Sequence, residues 1–307
     1  MFLIPVGHDR DTVWRVPWVS FALIGLLLGA SLWAWGDSRE RAGRVFETTL
    51  QARQYFFAHP WARIDAATET LILEALPEPD RRRVLGVFRA GARAPVTERE
   101  RFTGQEMMDR LATRARAARE ARPEYRFGVV PERPGLATFL THIAVQPGWL
   151  DLLGCLLILY LAGPFLEDAW GRWLFLLLFA GSGVAGAVLH VVVHPGDARP
   201  LLGASGAIAG LMGAFLIRFA RAEIDFFWIV PRVGSGTFSA PAWRVVPVWV
   251  LEQLVNALLD DPSKRAAAPG WAVLGGFGCG IALALWIRRS RLEERYIWPP
   301  LNPSSVG

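Results

Sequence analysis

Six stretches of this chain are apolar for about the 20 residues that an α-helix needs to cross the hydrocarbon of a bilayer. They run from about Val16 to Trp35, Gly148 to Leu166, Trp173 to Val193, Leu202 to Phe219, Ala242 to Leu259 and Trp271 to Ile287. Inside lipid every backbone N–H and C=O must find its partner within the chain, so only helices and closed barrels span. Continuous apolar runs of this length are helices, and the expectation is an all-α polytopic membrane protein with a six-helix bundle. The 52% hydrophobic fraction, mean hydropathy of +0.28 and 14 Trp agree with it. Trp14, Trp18, Trp33 and Trp35 bracket the first run, as interfacial belts do. No A-x-A-like site follows it before Asp37, so an anchor is expected rather than a cleaved signal.

The net charge of +5 does not point to nucleic acid, because the arginines gather beside the apolar runs and in one polar insertion. Arg10 and Arg15 precede the first run. Arg218, Arg221, Arg232 and Arg244 surround the connection between the fourth and fifth, and Arg288, Arg289, Arg291 and Arg295 follow the sixth. Six crossings put all three groups on one side, which the positive-inside rule makes cytoplasmic. Lys264 is the only lysine, and the bias to Arg, Ala and Gly fits a GC-rich bacterial chain in the cytoplasmic (inner) membrane. Cys155 and Cys279 both fall inside apolar runs, away from any second Cys or His at ligand spacing. Neither a disulfide nor a metal is expected, and no cofactor.

Between Asp37 and Gly135 the chain turns polar, with apolar residues at helical spacing. Helices are expected around Val45 to Phe57, around Ile64 to Leu76, around Val84 to Phe88, and from Phe102 towards Arg116. The resulting division is residues 1–36 as amino-terminal segment and first span, and 37–135 as an inserted extracytoplasmic helical domain. Residues 136–290 form the five-span core, and 291–307 a cytoplasmic tail.

The fourth run opens with Gly203-Ala204-Ser205-Gly206 and continues through Gly210 and Gly213. The sixth carries Gly275, Gly276 and Gly280. Glycines on one face let two helix backbones touch, which drives association where lipid removes the hydrophobic term. Further motifs stand in order around these two. They are Ile4-Pro5, Gly163-Pro164 with Glu167-Asp168 and Gly171-Arg172, Leu189-His190 to Pro195-Gly196, Pro241-Ala242-Trp243, and Leu274-Gly275-Gly276-Phe277. Together they resemble the rhomboid family of intramembrane serine proteases across about half the chain.

The resemblance implies a catalytic dyad of a serine in the fourth span and a histidine in the sixth. Ser205 stands at the serine position, but Val273 stands where the histidine belongs. It also implies a histidine and an asparagine in the second span that stabilise the oxyanion. Here those positions hold Asp151 and Cys155, and a further family histidine is replaced by Gln146. Valine cannot accept the proton that a serine must lose to attack. An ionised Asp151 repels developing negative charge, and a thiol is a weak donor. His142, His190 and His194 remain near span ends, but His190 matches a position the resemblance does not make catalytic and His142 lies too early in the register of the second span. Glu252, with Gln253 and Asn256, places an ionisable group inside the fifth span, which the family makes the flank of a lateral entrance. The expectation is a non-proteolytic rhomboid that binds transmembrane segments of client proteins in the bilayer. The alternative is an active endopeptidase using Ser205 with an unorthodox base. A transporter is disfavoured, because no span shows the charged, unwound pattern of a substrate path.

Overall fold

The computed structural model describes residues 2–8, 16–59, 61–73, 86, 97–230, 234–259 and 269–290. Its contacts divide the chain into two compact units, one built from residues up to Ser31 and from Phe127 onward, the other from Leu32 to Arg126.

The Leu32–Arg126 unit is helical. The first helix, α1 (Trp18–Ala58), runs unbroken through Asp37, so the helix expected around Val45 to Phe57 is a continuation of the first span and not a separate element. The polarity of the sequence changes at Asp37, but nothing there stops a helix. No proline intervenes, and Asp37 pairs with Arg41 one turn on at 2.6 Å. The helix ends at Ala58, just before His59-Pro60, where a proline disfavours helical backbone in the residue ahead of it. Asp65 caps α2 (Ala66–Ile72) by accepting from the Thr68 N–H at 3.0 Å. Thr97 caps α3 (Glu98–Glu120) in the same way, accepting from Glu100 N–H at 3.2 Å. Phe56, Leu71, Ile72, Met108 and Ala115 are buried together between these helices, and each of the larger ones contributes about 1.5–3 kcal/mol. The helix expected around Val84 to Phe88 lies outside the described residues. A short α4 (Pro123–Phe127) closes the unit.

The other unit holds the apolar helices. After α5 (Thr138–Thr141) and a 3-10 turn (His142–Ala144) comes α6, Trp149–Val193, broken at Gly171 by φ 77° and ψ 166°. That break separates the second and third apolar runs, and each arm is about 33 Å long at 1.5 Å per residue, enough for one crossing. Before the break, Glu167 is 4% exposed and accepts from the Val19 N–H (3.0 Å), the Ser20 N–H (2.8 Å) and the Ser20 hydroxyl (2.9 Å). The carboxylate thereby satisfies donors at the start of α1, where the helix dipole favours negative charge.

Then follow α7 (Ser205–Arg218), α8 (Ala242–Leu258) and α9 (Gly270–Arg289). Among the described residues, α1, α6 and α9 are long and apolar enough to cross a membrane, whereas α7 has 14 residues. The run expected to be helical from Leu202 begins its helix at Ser205. Leu201 is extended and pairs with Val129 (N–O 2.8 and 3.0 Å), and Gly203 has φ 110°, outside the helical region. Residues 201–204 are all buried, the condition under which non-helical backbone is tolerated at membrane depth. The Val129 pairing also explains why residues 127–135 join the apolar unit and not the insertion.

The helical membrane fold carries one addition the helical pattern did not indicate. Strands β1 (Phe2–His8), β2 (Glu223–Val230) and β3 (Gly234–Pro241) form an antiparallel sheet in the order β1-β2-β3. Phe2 pairs with Ile229 and His8 with Ile224, while Glu223 pairs with Pro241. Aromatic and β-branched residues dominate β2 (Ile224, Phe226, Phe227, Trp228, Ile229, Val230), the composition that favours a strand.

Candidate functional site

Helices α6, α7 and α9 meet through glycine. A Cβ on Gly276 would overlap the Gly206 carbonyl oxygen, and one on Gly280 would overlap that of Gly210. A Cβ on Gly210 would itself strike the Ser182 side chain and lie 3.1 Å from the Gly276 carbonyl oxygen. Gly275 points elsewhere, with its Cβ position 3.0 Å from the Ala185 carbonyl oxygen and 2.9 Å from Leu189 Cβ on the second arm of α6. Gly203 serves the turn rather than the seam. Its positive φ suits glycine, and a Cβ there would stand 2.9 Å from Gln146 Oε1.

Ser205 is the first residue of α7 and is half-buried. The two backbone N–H groups ahead of it are committed. That of Gly203 donates to the His142 carbonyl at 2.9 Å, and that of Ala204 donates to Gln146 Oε1 at 3.3 Å. Gln146 is 1% exposed and central to this end of the bundle. Its N–H donates to Ser31 Oγ on α1 at 3.2 Å, its Nε2 to the Ile143 carbonyl at 3.3 Å, and its Oε1 also receives the Cys155 thiol at 3.9 Å. The sequence marked Gln146 only as a missing histidine. The structure gives it a positive role, an amide that closes the turn before Ser205. The sequence carried no local signal for this role, because a buried amide must find several partners and these come from distant segments.

Val273 is 2% exposed and lies in the first turn of α9. Its neighbour Ala272 places its carbonyl oxygen 3.0 Å from the Cβ position of Gly206, the residue after Ser205. The serine and valine positions therefore sit at one level of the α7–α9 contact. Asp151 is exposed in the first turn of α6, and Cys155 is buried one turn on.

The three histidines of the rhomboid-like part, His142, His190 and His194, fall in two places. His190 is buried and His194 lies beside it at the end of α6, with ring centroids 4.9 Å apart. His142 lies next to the serine turn, 2% exposed, with Nδ1 3.1 Å from the Thr138 carbonyl. Burial pushes His142 down to about 4, against the opposing pull of the Thr138 and Phe139 carbonyls. In the loop before the turn, burial raises the Asp197 carboxyl, but Arg199 at 2.6 Å outweighs it and the net value lies below the usual carboxylate range. Glu252 lies on the outer side of α8, exposed among Val248, Leu251, Val255 and Leu258. The same helix buries Ala242, Val246 and Ala257, and Ala257 abuts Gly270 at the start of α9.

Residues 133–290 match the Rhomboid domain. The chain belongs to the rhomboid family. It is also 40% identical over 77 residues to a putative rhomboid protease, YdcA, of Bacillus subtilis. That match covers 25% of this chain and 38% of the relative, so it spans little more than a third of the relative's length. Gln146, Asp151, Cys155, Ser205, Glu252 and Val273 all lie inside the rhomboid domain, which leaves out the helical Leu32–Arg126 unit.

Proposed function

We propose that this rhomboid does not cleave peptide bonds and instead binds transmembrane segments of client membrane proteins. The observation that carries the reading is the hydrogen bond from Ala204 N–H to Gln146 Oε1 directly before Ser205. An oxyanion at Ser205 would need donors held ready for it, and losing one such donor typically costs about a hundredfold to a thousandfold in rate. Here a donor beside the nucleophile position is engaged by a buried amide, Asp151 brings a carboxylate to the same end of α6, and Val273 offers no base. The client surface is the outer face of α8, where Val248, Leu251, Val255 and Leu258 surround Glu252. That face would bind an apolar helix, with Glu252 seeking a polar or cationic group on it.

The topology belongs to the same reading: six crossings, both termini on the cytoplasmic side of a bacterial membrane, and residues 37–135 outside. Two contacts support it. The pairing of β1 with β2 brings the chain before α1 to the connection after α7, as four intervening crossings require. The Glu167 cap likewise places the start of α1 beside the turn between the arms of α6.

One observation favours the alternative of an active serine endopeptidase. With Nδ1 held by the Thr138 carbonyl, the neutral His142 ring keeps Nε2 as an acceptor, and the His142 backbone carbonyl accepts from the Gly203 N–H of the serine turn. Treatment of the protein in lipid with a fluorophosphonate serine probe separates the two readings. The expected result is no labelling at Ser205, together with photo-crosslinks to apolar helices from probes at Val248 and Leu251. Labelling abolished by Ser205→Ala and by His142→Ala would establish the protease instead.

A further inference from the structure

In the Leu32–Arg126 unit, outside the rhomboid domain, the chain after α1 and the first two turns of α3 form a cleft of about 550 Å³. Trp61, Arg63, Glu98, Arg101, Phe102 and Gln105 line it, and its volume falls in the range of roughly 300–1,000 Å³ of ligand sites. We propose that the cleft binds a saccharide, its ring stacked on the aromatic side chains and its hydroxyls held by Arg63, Arg101 and Glu98. The site shares no residue with the serine end or the outer face of α8, so it stands apart from the client-binding reading. Only the source of the sugar rests on the proposed topology, which would turn this unit towards the glycans of the cell envelope.

Glu98, Arg101, Phe102 and Gln105 stand at i, i+3, i+4 and i+7, on one face of α3. Gln105 ties the opposite wall to that face. Its Oε1 accepts from the Arg63 N–H at 2.8 Å, and its Nε2 donates to the Arg63 carbonyl at 2.9 Å. Two residues earlier, the tip of the Trp61 indole is seated against Gly104, where a Cβ would collide with the ring. A glycine weakens a helix interior, and here it makes room for the indole. Trp61 also meets the His59 ring at 5.7 Å, His59 stacks on Tyr55 at 4.0 Å, and the Tyr55 hydroxyl donates to the Gly104 carbonyl at 3.3 Å. The indole is thus positioned before any ligand arrives, which lowers the cost of binding, and it stays half-exposed. Phe102 beside it is 73% exposed.

The side chains select the ligand. Aromatic rings present negative faces, which attract the C–H groups of a sugar ring. The rim supplies donors from Arg63 and Arg101 and an acceptor from Glu98. All three are exposed, and among the described residues their side chains have no hydrogen-bond or ion-pair partner. A ligand of a single charge sign would meet a like charge in this cleft, whereas a hydroxyl both donates and accepts. An extended peptide would need backbone groups to pair with, but the N–H and carbonyl of Arg63 are both taken by Gln105. A solvated helix face accounts for the three charges, but not for a seated indole and an exposed phenyl ring sharing one cleft with them.

The test is calorimetric titration of the full chain in lipid nanodiscs, free of sugar-headed detergents, with chitotriose and with maltotriose. At least one of the two should bind the wild type. Its affinity should fall about tenfold or more in Phe102→Ala, and also in Glu98→Gln/Arg101→Gln. These residues are exposed, so neither variant disturbs the core. Met107→Ala removes another exposed apolar side chain of α3 that does not line the cleft, and should bind as wild type. Binding of neither trisaccharide, equal affinity in the wild type and Phe102→Ala, or an equal loss in Met107→Ala would overturn the site. Binding of a labelled peptide of alternating Asp and Leu in place of the sugars would overturn it as well.

Discussion

Along the α7–α9 pair, Gly210 and Gly280 meet with no side chain between them, while at the start of α7 the turn before Ser205 is held by a side chain, that of Gln146, and Val273 is buried at the start of α9. The two regions lie within a few turns of each other on the same helices. At the seam the requirement is for absence, because an atom added to Gly276 or Gly280 meets backbone, and backbone cannot swing aside. At the serine end the requirement is to fill volume and satisfy the turn, and there Gln146 accepts from the Ala204 N–H while Val273 is buried. The contacts that hold the rhomboid helices together and the groups around the serine position thus rest on different atoms.

The largest effect should come from breaking the seam. Gly276→Leu drives a side chain into the Gly206 carbonyl and should cost about 3 kcal/mol or more, read as thermal stability in detergent. Gly278 is the internal control. It lies on the same helix with nothing within 4 Å of its Cβ position, so Gly278→Ala should be neutral or should stabilise by up to about 1 kcal/mol. Equal effects at the two positions would show that the close approach does not hold the bundle together.

The seam was legible in the sequence because four-residue glycine spacing inside two apolar runs has one physical use. The helix start at Ser205 was not, since Leu202 is as apolar as the residues after it, and the pairing of Leu201 with distant Val129 and the positive φ of Gly203 keep the helix from starting earlier. The continuity of α1 past Asp37 was hidden for the opposite reason. A change of polarity reads as a boundary, but it marks a change of surroundings and not of backbone. The sheet escaped because β1 and β2 are short and lie more than 200 residues apart in the chain, at Phe2–His8 and Glu223–Val230. The role of Gln146 depends on partners from Ser31, Cys155 and Ala204, which no local pattern brings together.

A smaller effect sharpens the contrast at the serine end. His142 is buried with its value lowered to about 4 from an ordinary 6.5. As pH falls, the unfolded chain takes up this proton before the folded one, so stability is complete above about pH 6.5 and declines towards pH 4. The loss is at most about 3 kcal/mol over that window. His142→Phe should flatten this part of the stability–pH curve. Asp197, held below the usual carboxylate range, adds its own decline only at lower pH. An unchanged curve in His142→Phe would place the imidazole in water and remove the burial on which the turn description depends.

The most direct measurement is cleavage of a reporter transmembrane substrate in lipid by the wild type and by Ser205→Ala. No cleavage is expected from either, and the two proteins should be indistinguishable, because the Ser205 hydroxyl has Val273 where a base is needed and the neighbouring Ala204 N–H is held by Gln146. Cleavage by the wild type that disappears in Ser205→Ala would contradict the account at its centre.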